Sequence, residues 1–530
     1  MWSVFFIHLK LPYRYSINSH TRFGLSSQGT IRPAFLAPDP PGVTIISTMS
    51  TAIDHLQPQA VWKHFAALAA IPRASEKEAA ARDYVLALAA RLGLESVQDS
   101  VGNLVVRKPA RPGREAAVPA VIQGHLDMVC EKNEGTAHNF DTDPIRLIVD
   151  GDWLKADGTT LGADNGVGVA AALAVMESDS VAHGPLELVF TIDEESGLTG
   201  ASKFPGGLLR SQYFLNLDNE EEDTLCIGCA GGINSVARRK IAREAAPSGD
   251  ACRIKIAGHS GGHSGVDIHR GRGNALRILG GALLNLMDAL PLSVADIRGG
   301  SKRNAIPREA SAIVILPSGH AAPLKAILEA YEAEVRTDLG AFDPGLRISV
   351  EAAERPQQAI ARADARLIAG ILAAQHHGVL AMSPDIPGLV QTSTNLATVA
   401  TSDGQVEIAT SQRSPIESSK RAAARMVATV FGFAGFTVEQ SGDYPGWKPE
   451  PGSDIVRTAQ AVHQDVLGRK PELIAMHAGL ECGVIGEKYP GMQMISFGPH
   501  IVDVHSPSER IKISSVGPFY RLLTGLLERI

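Results

Sequence analysis

The stretch Leu188–Gly197, LVFTIDEESG, carries an apolar run that stops abruptly in Asp193, Glu194 and Glu195. A short apolar run rich in β-branched and aromatic residues, bounded by charge, predicts a buried strand. Three successive acids repel one another, so the chain needs compensating positive charge where this strand ends. The same pattern recurs elsewhere. AVIQG runs into His125, Leu126 and Asp127; YFLNL runs into Asp218; MQMISFG is followed by His505.

Between the first of these runs and LELVFTI, the Ala-rich VGVAAALAVMES predicts a helix. Strands interleaved with helices predict an α/β fold, and in open α/β sheets the ligand crevice lies beyond the carboxyl ends of the strands. Residues remote in sequence therefore converge on one edge. TTLGADNGVG adds Asp164 in a Gly-rich turn before the helix. Imidazoles and carboxylates in one place form a mixed nitrogen and oxygen donor set that suits Zn2+ or Mn2+, and a carboxylate such as Asp164 could bridge two ions about 3.5–4 Å apart. Adjacent Glu194 and Glu195 diverge beyond a strand end, which allows one to bind metal and the other to move a proton.

At 530 residues the chain predicts two or three domains. A formal charge of -7 gives no basic footprint for nucleic acid. Cys130, Cys226, Cys229, Cys252 and Cys482 are too few, and odd in number, for a secreted disulfide framework. They fit a reducing cytoplasm. No apolar run reaches the ~20 residues that span a bilayer. Residues 1–48 read as a non-native or disordered extension, because MSTAIDHLQPQ from Met49 is a plausible start; a targeting presequence is the alternative. The expected division is a catalytic domain in two parts, 49–232 and 440–530, with a second α/β unit, 233–439, inserted between them.

Three motifs compete with this reading. GHSGG, 258–262, matches a serine nucleophile elbow, but an elbow enters its helix directly, whereas here three more glycines, Gly265, Gly271 and Gly273, follow the motif before helical NALRILGGALL. GVGVAA, 166–171, matches a dinucleotide fingerprint without an apolar strand before it, so its glycines serve to bring backbone close to Asp164. Cys226 and Cys229 form C-x-x-C without obvious partners for a zinc site.

With QGHLDMVCEKN, DGTTLGADNGVGVA, TIDEESGLTGA, NLDNEEEDTLCIGCAGG, GGHSGVDIHRGRGNA, NAIPRE, SQRS, YPGWKP, HAGLECG and HSPSER, the chain resembles the cytosolic aminoacyl-histidine (Xaa-His, nonspecific) dipeptidases from about Gln57 to Ile530. These are two-zinc exopeptidases with a zinc-exopeptidase-like catalytic domain, a mixed sheet flanked by helices, and an inserted α/β lid. The resemblance implies that His125, Asp164, Glu195, Asp218 and His505 are metal ligands, with Asp164 bridging. It makes Glu194 the general base acting on a metal-bound hydroxide, and Asp127 the acid that orients His125. It also implies a cis peptide after Asp164.

In the lid, it implies that His263 stabilises the oxyanion, from its own chain or a partner subunit of a homodimer, and that Asn304 and Arg413 hold the substrate's C-terminal carboxylate. The cofactors implied are two divalent ions, Zn2+ foremost, with Mn2+ or Co2+ as alternatives. The expected activity is hydrolysis of Xaa-His and related unblocked dipeptides in the cytoplasm. An N-acyl amino acid amidohydrolase or aminopeptidase with the same metals, a Ser260 hydrolase, and a non-catalytic peptide-binding protein are the rivals.

Overall fold

The apolar run forms the strand Leu186–Thr191, buried at every position. The structure is a computed structural model that describes residues 52–402 and 404–530; the extension expected over 1–48 lies outside them. On one side the strand pairs antiparallel with Leu104–Lys108, and on the other parallel with Ala120–His125. Ala120–His125 in turn runs parallel to Tyr213–Asn216, and that strand parallel to Gln493–Ser496. The full order in this sheet is Glu95–Gln98, Leu104–Lys108, Leu186–Thr191, Ala120–His125, Tyr213–Asn216, Gln493–Ser496, Thr224–Cys229 and Glu472–Met476.

Helices cover both faces, as the continuous apolar strands require. Ile122, Leu188 and Phe190 join a core with Trp62 and Phe65 of the helix Gln59–Ala69, Val167 and Leu173 of Ala163–Glu177, and Leu523 of Ile513–Arg529. The alternate residues Val121, Val189 and Phe214 join a second core with Phe204, Cys482 and Ile485. Period-two alternation thus sends each strand's side chains into two different cores.

The segment between these halves builds a separate, antiparallel sheet. Its order is Arg347–Ala352, Asp250–Ala257, Ala310–Leu316, Ser293–Gly299, Val390–Ser402, Gln405–Ser414, Gly231–Lys240 and Thr437–Tyr444, with Gly378–Met382 also paired to Val390–Ser402. One face packs on the helices Ala275–Ala289, Ala321–Leu339, Arg362–Ala374 and Glu417–Phe433 through Leu279, Leu328, Ile368 and Val427. Arg253, Lys255, Arg298 and Glu351 line a cavity of about 900 Å³ at this sheet. The chain then returns through Asp454–Leu467 to the first sheet.

Candidate active site

Three parallel strands end side by side, with His125 opposite Thr191 and Gln123 opposite Asn216. The residues just past those ends, Asp127, Asp193 to Glu195, and Asp218, are therefore delivered to one edge. His505 arrives on a loop that follows the fourth parallel strand, with φ +59. Asp164 comes from a separate element, the start of the helix Ala163–Glu177, where its ψ of 117 is not helical. The peptide between Asp164 and Asn165 is cis.

Asp164 stands between the two imidazoles. Its Oδ1 is 3.0 Å from His125 Nε2, and its Oδ2 is 3.3 Å from His505 Nε2. Each imidazole meets a second acid: His125 Nε2 is 3.3 Å from Asp218 Oδ1, and His505 Nε2 is 2.9 Å from Glu195 Oε2. One donor atom from each of His125, Asp164 and Glu195 lies within 4.8 Å of the other two, a spread that a metal ion could bridge. Glu195 Oε1 is buried without a hydrogen-bond partner, which is what a carboxylate set aside for a cation leaves. The set is all imidazole and carboxylate, so it fits divalent metals of the zinc and manganese type.

Electrostatics within the cluster run in opposite directions. Burial lowers the pKa of His125, but Asp218, Asp127 and Asp164 outweigh it and raise it well above the ordinary value. Hydrogen bonds to Asp164 and Glu195 push His505 up to about 11. Burial pushes Asp218 up to about 7, with the Asp164 charge adding to it. Asp164 is driven down despite its burial, by hydrogen bonds from both histidines. Burial raises Glu194 well above the usual carboxylate range, the direction that lets a carboxyl hold a proton near neutral pH.

Asp127 sits behind His125, its Oδ1 3.3 Å from Nδ1 but off the line of a hydrogen bond. It also accepts the backbone N–H groups of Glu194 at 3.1 Å and Glu195 at 3.2 Å, and the Ser75 hydroxyl at 2.7 Å. One carboxylate therefore touches a strand end carrying a histidine and the turn carrying two glutamates. Burial works to raise its pKa; the His125, Ser75 and Glu194 contacts prevail and hold it at about 2.

Several residues of the site had no sequence-based role. Glu509 accepts the N–H groups of Leu161, Gly162, Ala163 and Asp164, which shapes the turn that presents Asp164. Arg73 donates to the carbonyl oxygens of Leu126, Asp127 and Gly162, tying that turn to the His125 strand end. Glu481 is wholly buried and accepts from Gln123 and Thr191 on two adjacent strands. Burial pushes Glu220 up to about 8, with Asp164 and Asp218 adding to it. IPRASEKE, HAGLECG and HSPSER contain Arg73, Glu481 and Glu509, but an isolated acid or arginine in such a string carries no spacing signal.

The three residues expected in the inserted unit, His263, Asn304 and Arg413, form a second group. Arg413 Nη2 is 3.5 Å from His263 Nε2 within the same chain, and Arg413 Nη1 donates to Tyr444 Oη at 3.0 Å. Burial and the Arg413 charge push His263 down to about 4, so its ring is neutral near pH 7. Asn304 is exposed, and its carbonyl accepts the N–H of Ser264 at 2.8 Å. His263 and Asn304 share the lining of the 900 Å³ cavity. Among the described residues no hydrogen bond or ion pair joins this group to the cluster around Asp164.

The competing motifs dissolve on geometry. The Ser260 N–H donates to Asp343 Oδ1, and the same carboxylate faces His259 Nδ1 at 3.0 Å, while His259 Nε2 has no partner; among the described residues no hydrogen bond joins an imidazole to the Ser260 hydroxyl. Gly166 and Gly168 allow close packing, since a Cβ would meet Arg73 Nη2 at 2.6 Å and the Leu217 carbonyl at 2.4 Å. Cys226 and Cys229 are free and buried, and burial pushes their thiols up to about 12 and about 11, away from reactivity.

A parallel strand edge bearing imidazoles and carboxylates, with a second sheet inserted between its halves, defines a metallopeptidase architecture. Residues 121–529 match the peptidase family M20/M25/M40, and the chain belongs to that family of peptidases. Over 479 residues it is 39% identical to the cytosol non-specific dipeptidase of Escherichia coli K12, covering 90% of this chain and 99% of that protein. It is similar to the crystal structure of aminoacylhistidine dipeptidase from Vibrio alginolyticus, with 40% identity, a TM-score of 0.84, and coverage of 91% of this chain and 98% of that one. The aminopeptidase PepT of Bacillus cereus ATCC 10987 shares the fold at 17% identity and a TM-score of 0.53, over 89% of this chain and 98% of that one. Family and fold class agree with the resemblance read from the motifs. No helix among the described residues is long and apolar enough to cross a membrane.

Proposed function

We propose that the chain is a metal-dependent dipeptidase that hydrolyses Xaa-His and related unblocked dipeptides in the cytoplasm. The observation that carries the metal site is the Asp164 carboxylate, one oxygen facing His125 and the other His505. The names of the Escherichia coli and Vibrio alginolyticus relatives support the substrate class and the compartment. His125, Asp164, Asp218, Glu195 and His505 would hold two divalent ions, with Zn2+ foremost and Mn2+ or Co2+ as alternatives. When bound, such ions polarise the scissile carbonyl and lower the pKa of water.

The remaining work falls to the chain's own side chains. Glu194 takes a proton from the attacking water and delivers it to the departing amine. Asp127 fixes the backbone of that base and faces His125 from behind. Arg413 receives the substrate's free carboxylate with two parallel hydrogen bonds, a geometry that a planar guanidinium supplies. Asn304 assists it. Neutral His263 donates an N–H to the scissile carbonyl oxygen as negative charge grows there.

In this reading 49–232 and 440–530 form the catalytic domain, and 233–439 is a lid whose closure brings the carboxylate clamp to a set distance from the metals. The clamp then measures two residues. His263 and Arg413 lie 3.5 Å apart in one chain, so whichever subunit brings one to the substrate brings the other. Two assays test the reading: chelation abolishes turnover and zinc restores it, and free Xaa-His dipeptides are cleaved while their N-acetylated forms are not. Equal turnover of N-acylated substrates would move the assignment to an amidohydrolase.

A further inference from the structure

Asp193, the first acid after the strand Leu186–Thr191, takes no part in the site around Asp164. It is 5% exposed, and its Oδ1 is buried without a hydrogen-bond partner. Two more buried acids stand beside it, Glu78 at 3% and Asp127 at 0% exposure. One carboxylate oxygen from each of Glu78, Asp127 and Asp193 lies within 4.8 Å of the other two. Among the described residues no lysine or arginine is ion-paired with any of the three, and the partner that Asp127 has is His125. The buried Arg73 is turned to carbonyl oxygens instead. Three carboxylates crowded out of water need a counter-charge.

We propose that Glu78, Asp127 and Asp193 bind a hard divalent cation, of the Ca2+ or Mg2+ type, at a site separate from the ions centred on Asp164. All the donors are carboxylate oxygens, which suit Ca2+ or Mg2+ and give zinc neither the nitrogen nor the sulfur it favours. Oxygens held within 4.8 Å of one another match a Ca2+ shell with metal–oxygen distances of about 2.3–2.6 Å. Two of the three donors are already positioned: Glu78 Oε1 accepts the N–H groups of Glu76 and Asp193 at 2.9 and 3.0 Å, and Asp127 is held by Ser75, Glu194 and Glu195. Asp193 brings a carboxylate whose Oδ1 is buried without a hydrogen-bond partner. Burial, with a contribution from the Asp127 charge, also raises the Glu78 pKa, the direction that a cation would reverse. The ion ties the loop 75–78 to the turn carrying Glu194 and Glu195, so it braces the end of the strand that supplies the proposed base.

The test uses the full-length, zinc-loaded enzyme dialysed against millimolar Ca2+ or, in parallel, Mg2+, with metal content read by elemental analysis and melting temperature recorded. This readout does not depend on which peptide is cleaved. The proposal expects one equivalent of Ca2+ or Mg2+ beyond an unchanged zinc content, and a higher melting temperature. Asp193→Asn loses that equivalent and the thermal response while retaining zinc; asparagine tolerates the left-handed φ of 48 at this position, so the turn persists. Glu78→Gln, away from the acidic turn in sequence, behaves the same way. If the zinc-loaded enzyme takes up neither ion, the three acids share protons instead and the proposal fails. It fails equally if uptake persists in both variants.

Discussion

The two sheets assemble their polar groups by different rules. At the mixed sheet, chemistry comes from loops past the ends of its parallel strands: Asp127 and Glu194 meet because His125 and Thr191 end in register. In the antiparallel sheet, the groups sit within the strands and meet across the ladder. Arg413 has Ser393 as its cross-strand neighbour on one side and Gly232 on the other, and Gly232 is paired in turn with Tyr444. A Cβ on Gly232 would lie 2.6–2.7 Å from the Tyr444 ring and hydroxyl. Glycine therefore lets the tyrosine lie over its strand and reach Arg413. A strand edge tolerates crowded charge because ions can reach it, whereas the ladder holds a single guanidinium by register.

That contrast can be broken at graded points. The largest effect is expected from Asp127→Asn, which disturbs one carboxylate shared by His125 and the backbones of Glu194 and Glu195: zinc affinity should fall about 10–100-fold, as measured by competition with a chelator. Next is Arg413→Lys, which replaces a two-pronged donor by a point charge. KM for dipeptides should rise about tenfold or more with zinc content unchanged. The smallest is Gly232→Ala, which displaces Tyr444 and removes one hydrogen bond from Arg413, so KM should rise by less than about tenfold while kcat and zinc content hold. A loss of zinc in either of these antiparallel-sheet variants would show that the two groups are not separable in this way.

Much of the edge was legible in sequence because it follows a periodic rule. Apolar runs that end in His125-x-Asp127, Asp193 to Glu195, and Asp218 announce strands and the acids beyond them, and parallel order brings those ends together. The turn before Ala163–Glu177 was readable for the same reason, since its glycines precede an Ala-rich helix. Glu509 and Arg73 were not readable. They act on backbone groups remote in sequence, Glu509 on the N–H groups of 161–164 and Arg73 on three carbonyls, and no spacing encodes such partners. The Arg413, Gly232 and Tyr444 arrangement was hidden because register across an antiparallel sheet depends on pairing that local pattern leaves open. No role for Asp193 was legible in the sequence, and it is its burial beside Glu78 and Asp127 that makes the proposed cation site testable.

The central claim is that two adjacent acids divide the labour, Glu195 at the metal and Glu194 at the proton. The direct measurement is kcat for a Xaa-His dipeptide, beside elemental analysis, in Glu194→Gln. The account predicts a full zinc complement and a kcat lowered by about 10²–10⁴. Near-parental turnover with full zinc would contradict it.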